Sequence, residues 1–246
     1  MRTPTASELL QLWEDSAART SAERALALLA LAVPELGHAG AAYCSIGGRD
    51  DMLLALRERL FGDELVSVVD CPACGEAVET RWRAGQLRTG LAGEAPAPLE
   101  WTDGQVRVAF RLPTTADLLA LPPHGSPATI RRLLLERCIE SSDALSPGAA
   151  VQPQDLPEPV LDALEQAMAA ADPMADIDIA LSCPACGHRW DVGFDIVSFL
   201  WAELHAWAQR LLLDVHKLAR AYGWSEEQIL ALSPGRRMLY VEMSAS

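Results

Sequence analysis

The same five-residue turn, Cys-Pro-Ala-Cys-Gly, occurs twice in this chain of 246 residues, at 71–75 and at 183–187. Each copy follows a run that contains several β-branched residues and precedes a stretch in which apolar and polar residues alternate. This pattern predicts a strand, a tight turn and a returning strand at both places. Because the two copies lie 112 positions apart, we expect two separate hairpins and not a short-period solenoid.

The two turns contain four of the six cysteines: Cys71, Cys74, Cys183 and Cys186. Zinc ribbons present their ligands in this way, with two thiolates from each of two hairpins converging on one tetrahedral ion. We therefore predict one structural Zn²⁺ per chain, bound by these four thiolates. Four protein ligands leave no coordination position for water or substrate, so the ion is expected to hold the fold together.

Other interpretations of the cysteines stay open on the sequence alone. The 108 residues between Cys74 and Cys183 exceed the usual spacer of about 15 to 20, so two separate half-sites are an alternative. Disulfides within each Cys-x-x-Cys are disfavoured in a reducing cytoplasm. A thioredoxin-like redox pair begins a helix, whereas strand patterns flank both turns here. We interpret His188 as a solvent-facing strand residue, and Cys44 and Cys138 as small buried hydrophobes.

The remaining patterns predict an α+β protein, with helices on both sides of a zinc-ribbon-like pair of hairpins. The predicted regions are a helical region at 1–64, the first hairpin at 65–84, an insert of strand, helices and flexible loops at 85–175, the second hairpin at 176–196 and a helical tail at 197–246. Capping boxes at Thr20 with Glu23, and at Ser225 with Gln228, mark two of the helix starts.

Apolar periodicity and capping residues place the individual elements. We predict helices at 7–17, 25–33, 51–61, 115–120, 127–140, 160–171, 197–222, 226–232 and 234–242, and an insert strand at 106–112. The stretches 86–98 and 141–159 are predicted to be loops, the second an exposed connection rich in Ser, Pro, Gly and Ala.

The charge balance narrows the class of partner. The chain has 34 acidic and 20 basic residues and a formal net charge of −14, which disfavours nucleic acid and anionic membranes because both attract basic surfaces. The longest apolar run, at 25–34, is half of the roughly 20 residues that a membrane-spanning helix needs. Acidic residues also interrupt the first fifteen positions, as they do not in a secretory signal. We expect a cytoplasmic protein, or part of a particle assembled there.

No catalytic motif is recognisable in the chain. Nucleophile elbows, zinc-protease motifs and phosphate-binding glycine loops are all missing, so we expect neither enzyme activity nor a small-molecule substrate. The segment 218–232 has the pattern of a helix-turn-helix, but Glu226 and Glu227 stand where its second helix would meet DNA. Its neighbouring aromatic residues are of the type that anchors protein interfaces.

Three segments resemble a known family: LLALRERLFG at 53–62, CPACGEAVE at 71–79 and VHKLARAYGWSEEQILALSPGRRMLYVEM at 215–243. Together they resemble zinc-ribbon proteins encoded beside the baseplate genes of contractile phage tails and tail-like injection systems. The broader family is that of the baseplate hub and assembly proteins of T-even-type phages. The resemblance extends over residues 5–80 and 180–243, while the insert looks variable.

This resemblance implies a structural or assembly role in a baseplate, with partners among hub, spike or tail-tube proteins, and it transfers no catalytic residue. It implies that the cysteine quartet is the metal site. It also implies a tail signature for interaction: Tyr222, Trp224, Arg236, Arg237 and Tyr240. The alternatives are a zinc-ribbon adaptor or regulator of another complex, including one associated with nucleic acid, and a thiol-disulfide oxidoreductase with reactive cysteines.

Overall fold

The computed structural model describes residues 1–88, 99–103, 106–122, 124–144 and 156–244. The helices are α1 (Ala6–Asp15), α2 (Ser21–Ala32), α3 (Gly37–Tyr43), α4 (Ile46–Phe61), α5 (Ala84–Leu87), α6 (Thr115–Leu119), α7 (Pro127–Cys138), α8 (Glu158–Ala171), α9 (Ile196–Tyr222), α10 (Glu226–Leu230) and α11 (Pro234–Ser244). The strands are β1 (Glu64–Asp70), β2 (Ala77–Arg83), β3 (Leu99–Thr102), β4 (Val106–Phe110), β5 (Ile139–Ala144), β6 (Ile177–Ser182) and β7 (Arg189–Phe194). The α+β class predicted from the sequence is confirmed.

The largest core lies between the N-terminal helices and the long helix α9. This 27-residue helix packs against α1, α2, α4, α10 and α11. Its leucines Leu200 and Leu204 are fully buried, in one cluster with Leu26, Leu29 and Leu53 of the N-terminal region. Burial of this apolar face, and not helix propensity alone, stabilises a helix in a globular protein.

Two hairpins, β1 with β2 and β6 with β7, lie against this core. Each is a separate two-stranded antiparallel sheet, and residues facing the core alternate with exposed ones along each strand. Leu65 pairs across from Trp82 in the first hairpin, and Leu181 pairs across from Trp190 in the second. All four of these side chains pack in or against the main cluster, so one core supports both cysteine turns.

The insert has a core of its own. Strands β3, β4 and β5 form an antiparallel sheet in that order, and α7 and α8 pack with it around Phe110, Leu135 and Leu164. On the surface of the two helices, Arg131 of α7 pairs with three carboxylates of α8: Glu158, Asp162 and Glu165.

The predicted helix caps are confirmed, whereas two elements and one helix start were not predicted. Both predicted capping boxes are present, and α9 is followed by Gly223, whose φ of +68° is the left-handed conformation typical of a C-cap. Helix α3 and strand β3 were not predicted, and α4 starts at Ile46 and not at 51. The start of α4 was missed because Gly47 and Gly48 have poor helix propensity.

The two predicted loops need correction where the structure describes them. Residues 84–87 form α5, and residues 139–144 form β5, which pairs with β4. Its sequence, IESSDA, has no alternation of apolar and polar residues, so only the pairing with β4 identifies it as a strand. The rest of these predicted loops at 89–98 and 145–155 lies outside the described residues.

Candidate metal centre

Both cysteine turns are closed by the same two backbone hydrogen bonds. In the first turn Cys71 N–H donates to the carbonyl of Glu76 at 2.8 Å, and Gly75 N–H donates to the carbonyl of Cys71 at 2.8 Å. The equivalent bonds at 183–188 measure 2.8 and 2.9 Å. Gly75 and Gly187 have φ of +76° and +73°, a region that a side chain disfavours. The repeated sequence thus produces a repeated geometry.

The four cysteines of the two turns form one cluster, with their sulfur atoms all within 4.8 Å of one another. The Sγ atoms of Cys71 and Cys186 are 3.8 Å apart, and those of Cys74 and Cys183 are 3.7 Å apart. Four sulfurs placed tetrahedrally at about 2.3 Å from a zinc ion are about 3.8 Å from each other. The donor set and its spacing therefore fit one metal ion shared by both hairpins.

Hydrogen bonding gives the thiols of this cluster different pKa values. The backbone N–H groups of Cys186 and Ala185 lower the pKa of Cys183 to about 7, against the effect of burial. The amide of Glu76 lowers the pKa of Cys74, but hydrogen bonds with neighbouring thiols, together with burial, outweigh it and raise that pKa to about 12. Four thiolates within one cluster repel each other, and a bound cation is what allows all of them to ionise.

Two side chains that no sequence motif marks as functional enclose the centre from the protein side. Val78 of β2 and Trp190 of β7 pack with Cys71 and Cys183, which are buried. The sequence contains a sign of this role: apolar and polar residues alternate along β2 and β7, and both side chains occupy positions that face inwards. His188 is exposed as predicted, but it precedes β7 and is not part of the strand; its ring stacks on Trp190, with centroids 5.8 Å apart.

The other two cysteines lie apart from the cluster. Cys138 is fully buried in the core of the insert, as predicted. Cys44 is only half-buried, and its thiol donates to the carbonyl of Gly40 at 3.4 Å, so the prediction that it is a buried hydrophobe is wrong. It follows the short helix α3, which the sequence did not reveal. All six cysteines are free of disulfides.

The structure brings together only the three aromatic residues of the tail signature. Tyr222, Trp224 and Tyr240 contact each other, with ring centroids 4.7 to 5.9 Å apart. Trp224 and Tyr240 also pack against a small core between α9, α10 and α11. Arg236 is exposed, whereas Arg237 is only 7% exposed. Packing explains the aromatic residues, and the interaction role of the five residues stays a prediction.

The segment with the helix-turn-helix pattern differs from a DNA-reading motif. Its second helix, α10, has five residues, and Glu226 and Glu227 are exposed on it. Within the described residues, no helix combines the length and the apolar character needed to cross a membrane.

Comparison with protein-family models matches residues 37–201 to the model described as T4 bacteriophage base plate protein. This range begins at α3, ends within α9 and contains both cysteine turns. It also contains the insert, which looks variable in sequence, and it excludes the tail signature. Comparisons with curated proteins and with solved structures find no match.

Proposed function

Because this chain belongs to the T4 bacteriophage base plate protein family, we propose that it is a structural or assembly component of the baseplate of a contractile phage tail or tail-like injection system. The match over residues 37–201 carries this proposal, since it extends over more than half of the chain. The family indicates contact with other baseplate or tail proteins. The partners we propose are hub, spike or tail-tube proteins, met during assembly in the cytoplasm.

The metal in this proposal is one structural Zn²⁺ held by Cys71, Cys74, Cys183 and Cys186. The sulfur spacing supports it, and thiolates are preferred zinc ligands. Such an ion supplies cross-linking, because ligands 112 positions apart are joined only in the folded chain. The hairpins would then be fixed to each other as well as to the main core.

A structural role without catalysis completes the proposal. Four protein thiolates would leave the ion without an open coordination position, which disfavours both a hydrolytic and a redox activity. The net charge of −14 and the exposed carboxylates of α10 disfavour nucleic acid as the partner. The family match favours the baseplate over an adaptor role in an unrelated complex.

Deletion of the gene in a particle-producing strain tests the role. We expect particles with incomplete baseplates in negative-stain electron microscopy, restored by the wild-type chain. The tagged chain should also co-purify with baseplate or tail subunits at high salt. Normal particles after deletion, together with no co-purified tail subunit, would overturn the proposal. Binding to DNA that weakens steeply with salt would support the adaptor alternative instead.

Mass spectrometry of purified particles then separates the two forms of the role. A component that stays in the baseplate is present in mature particles at fixed stoichiometry. An assembly factor is required for complete particles but is missing from them.

A further inference from the structure

A stripe of basic side chains runs along the C-terminal half of the long helix α9. Arg210, Lys217 and Arg220 are exposed, and Leu213, which lies among them, is 51% exposed. Each of these positions is three or four residues from the next, so all four lie on one side of the helix over about 15 Å of its length. We refer to these four residues as the basic stripe.

The basic stripe lies on the side of α9 that faces away from the protein. Leu211, Val215 and Leu218 are buried against α1, α10 and α11. The helical period of about 3.6 residues places these three side chains across the helix axis from the basic stripe. The four stripe residues therefore share one solvent-facing surface, to which the buried side of the helix contributes nothing.

The charges of the basic stripe are unpaired within the part of the chain that the structure describes. None of its three basic side chains makes an ion pair or a hydrogen bond with another described side chain. Other exposed arginines, such as Arg2 and Arg81, are paired with carboxylates. Asp214 lies at the edge of the stripe, but it is half-buried and its charge acts on α11. The charges of the stripe are therefore available to a group from outside.

The basic stripe departs from the composition of the chain, in which 34 acidic residues outnumber 20 basic ones. The carboxylates of α9 lie off the stripe, and that of Glu203 pairs with Arg57. The helix dipole stabilises Arg220 in the last turn, but its effect does not reach Arg210, about three turns earlier. Neither composition nor helix stability accounts for the stripe, and its positive potential attracts a negatively charged surface.

The apolar residue within the basic stripe favours a protein over a nucleic acid as the partner. Protein interfaces combine an apolar centre with a polar rim, and Leu213 has three basic residues around it. Phosphates offer no apolar contact for Leu213, and the net charge of −14 repels a polyanion over longer distances. A second copy also fits poorly, because a two-fold dimer through this face would bring like charges together.

We propose that the basic stripe is a docking surface for a segment of another baseplate or tail protein in which Asp or Glu residues flank an apolar side chain. This inference rests on the proposed baseplate role and names the chemistry of the partner. The carboxylates would pair with the basic side chains, and the apolar side chain would cover Leu213. Charges at the rim of an interface act mainly on the rate of association. High salt should therefore slow docking, while a complex that has already formed persists.

A photo-cross-linker in place of Leu213 identifies the partner in the particle-producing strain. We expect cross-links to one peptide of another particle protein, with Asp or Glu on both sides of the linked position. A cross-linker at Gln209, one turn earlier on the same side of α9, should reach the same peptide even where substitution of Leu213 weakens docking. Tyr43, which is 74% exposed on α3, is the control position and should not link to that peptide.

Charge reversal measures the contribution of the basic stripe. Lys217→Glu should slow association with the purified subunit that cross-links, by about threefold to tenfold at low salt. Arg19→Glu is the matched control, because Arg19 is exposed after α1 and has no ion-pair partner among the described residues. Both variants should melt within about 2 °C of the wild type, since exposed side chains contribute little to stability. Replacing an acid of the cross-linked peptide with lysine should restore association with Lys217→Glu.

The outcomes separate this inference from the proposed function. Cross-links to a second copy or to peptides without acids, no cross-link to another particle protein, or equal association rates of Lys217→Glu and Arg19→Glu would overturn the docking surface. DNA binding by the wild type that Lys217→Glu abolishes would overturn it in favour of nucleic acid. In each of these cases the baseplate role stands if deletion of the gene yields incomplete baseplates. Normal particles after deletion, with no co-purified tail subunit, would overturn the role and this inference together.

Discussion

The backbone N–H of Gly47 donates a hydrogen bond of 2.9 Å to Oδ2 of Asp172, which lies 125 positions further along the chain. Gly47 is in the first turn of α4, where N–H groups lack partners within the helix. Asp172 directly follows α8, so the end of the insert caps a helix of the N-terminal region. This bond, together with the cysteine cluster, therefore fixes the C-terminal end of the insert to the rest of the protein.

Replacing Gly47 with alanine should weaken the contact between the start of α4 and the end of the insert. A Cβ atom at this position would collide with the carboxylate of Asp172 and would lie 2.9 Å from the backbone nitrogen of Ala175. We expect a loss of about 2–4 kcal/mol in the free energy of unfolding, measured in urea. Gly48→Ala is the control: among the described atoms its Cβ meets only Ser45 Oγ, at 3.1 Å, and the change should stay within about 1 kcal/mol. Equal effects of the two substitutions would contradict the capping role.

The cysteine cluster predicts a metal dependence that elemental analysis can measure. Purified protein should contain one zinc ion per chain, and Cys183→Ser should lose the ion together with much of its solubility. Cys44→Ser should keep both, because its hydroxyl can still donate to Gly40. Wild-type protein that is soluble and folded after complete chelation would contradict a structural metal.

The ion pair between Arg57 and Glu203 should contribute to the joint between α4 and α9. Arg57 is buried and donates to both carboxylate oxygens of Glu203, at 2.8 and 2.6 Å. We expect Glu203→Gln to lower the free energy of unfolding by about 2 kcal/mol, since it leaves a buried cation without its counter-charge. The exposed pair of Arg81 with Glu79 offers a comparison, in which Glu79→Gln should cost no more than about 0.5 kcal/mol. Similar losses in the two variants would show that burial adds nothing to the pair.

The carboxylate of Asp117 should make the stability of the insert sensitive to acid. Burial alone would raise its pKa, but hydrogen bonds from Arg111 and Thr114 outweigh burial and hold the pKa well below its usual range. A lowered pKa stabilises the fold above the unfolded-state pKa of about 4, and the contribution is lost as the pH falls towards the folded-state pKa.

The comparison of wild type with Asp117→Asn isolates this contribution. The wild type should be more stable by about 3 kcal/mol at pH 7, and this difference should shrink as the pH falls below about 4. Both proteins keep the four cysteines, so loss of metal in acid affects them alike. Unfolding in urea at a series of pH values provides the measurement, and a difference that does not change with pH would contradict the assignment.

Local signals made much of the metal centre predictable. The spacing of Cys71 and Cys74, and its repeat at the second turn, depends only on residues next to each other in sequence. The hairpins and the two capping boxes were predictable for the same reason. The start of α4 was not, because Gly47 and Gly48 have poor helix propensity and the carboxylate that accepts from Gly47 comes from the distant Asp172, although Ser45 caps Gly48 locally. Strand β5 was missed because its sequence is polar and its identity comes from β4.

The sequence by itself determined which residues offer thiolates, where the tight turns lie and that the chain is acidic. Only the tertiary structure decided that Cys71 lies beside Cys186 and Cys74 beside Cys183, across more than a hundred residues. It also decided that Arg237 is buried while Arg236 is exposed. The physical reason is that burial and pairing between distant residues depend on how helices and sheets pack. Two neighbouring residues of the same type can therefore differ in burial, and the local sequence does not predict which of them is buried.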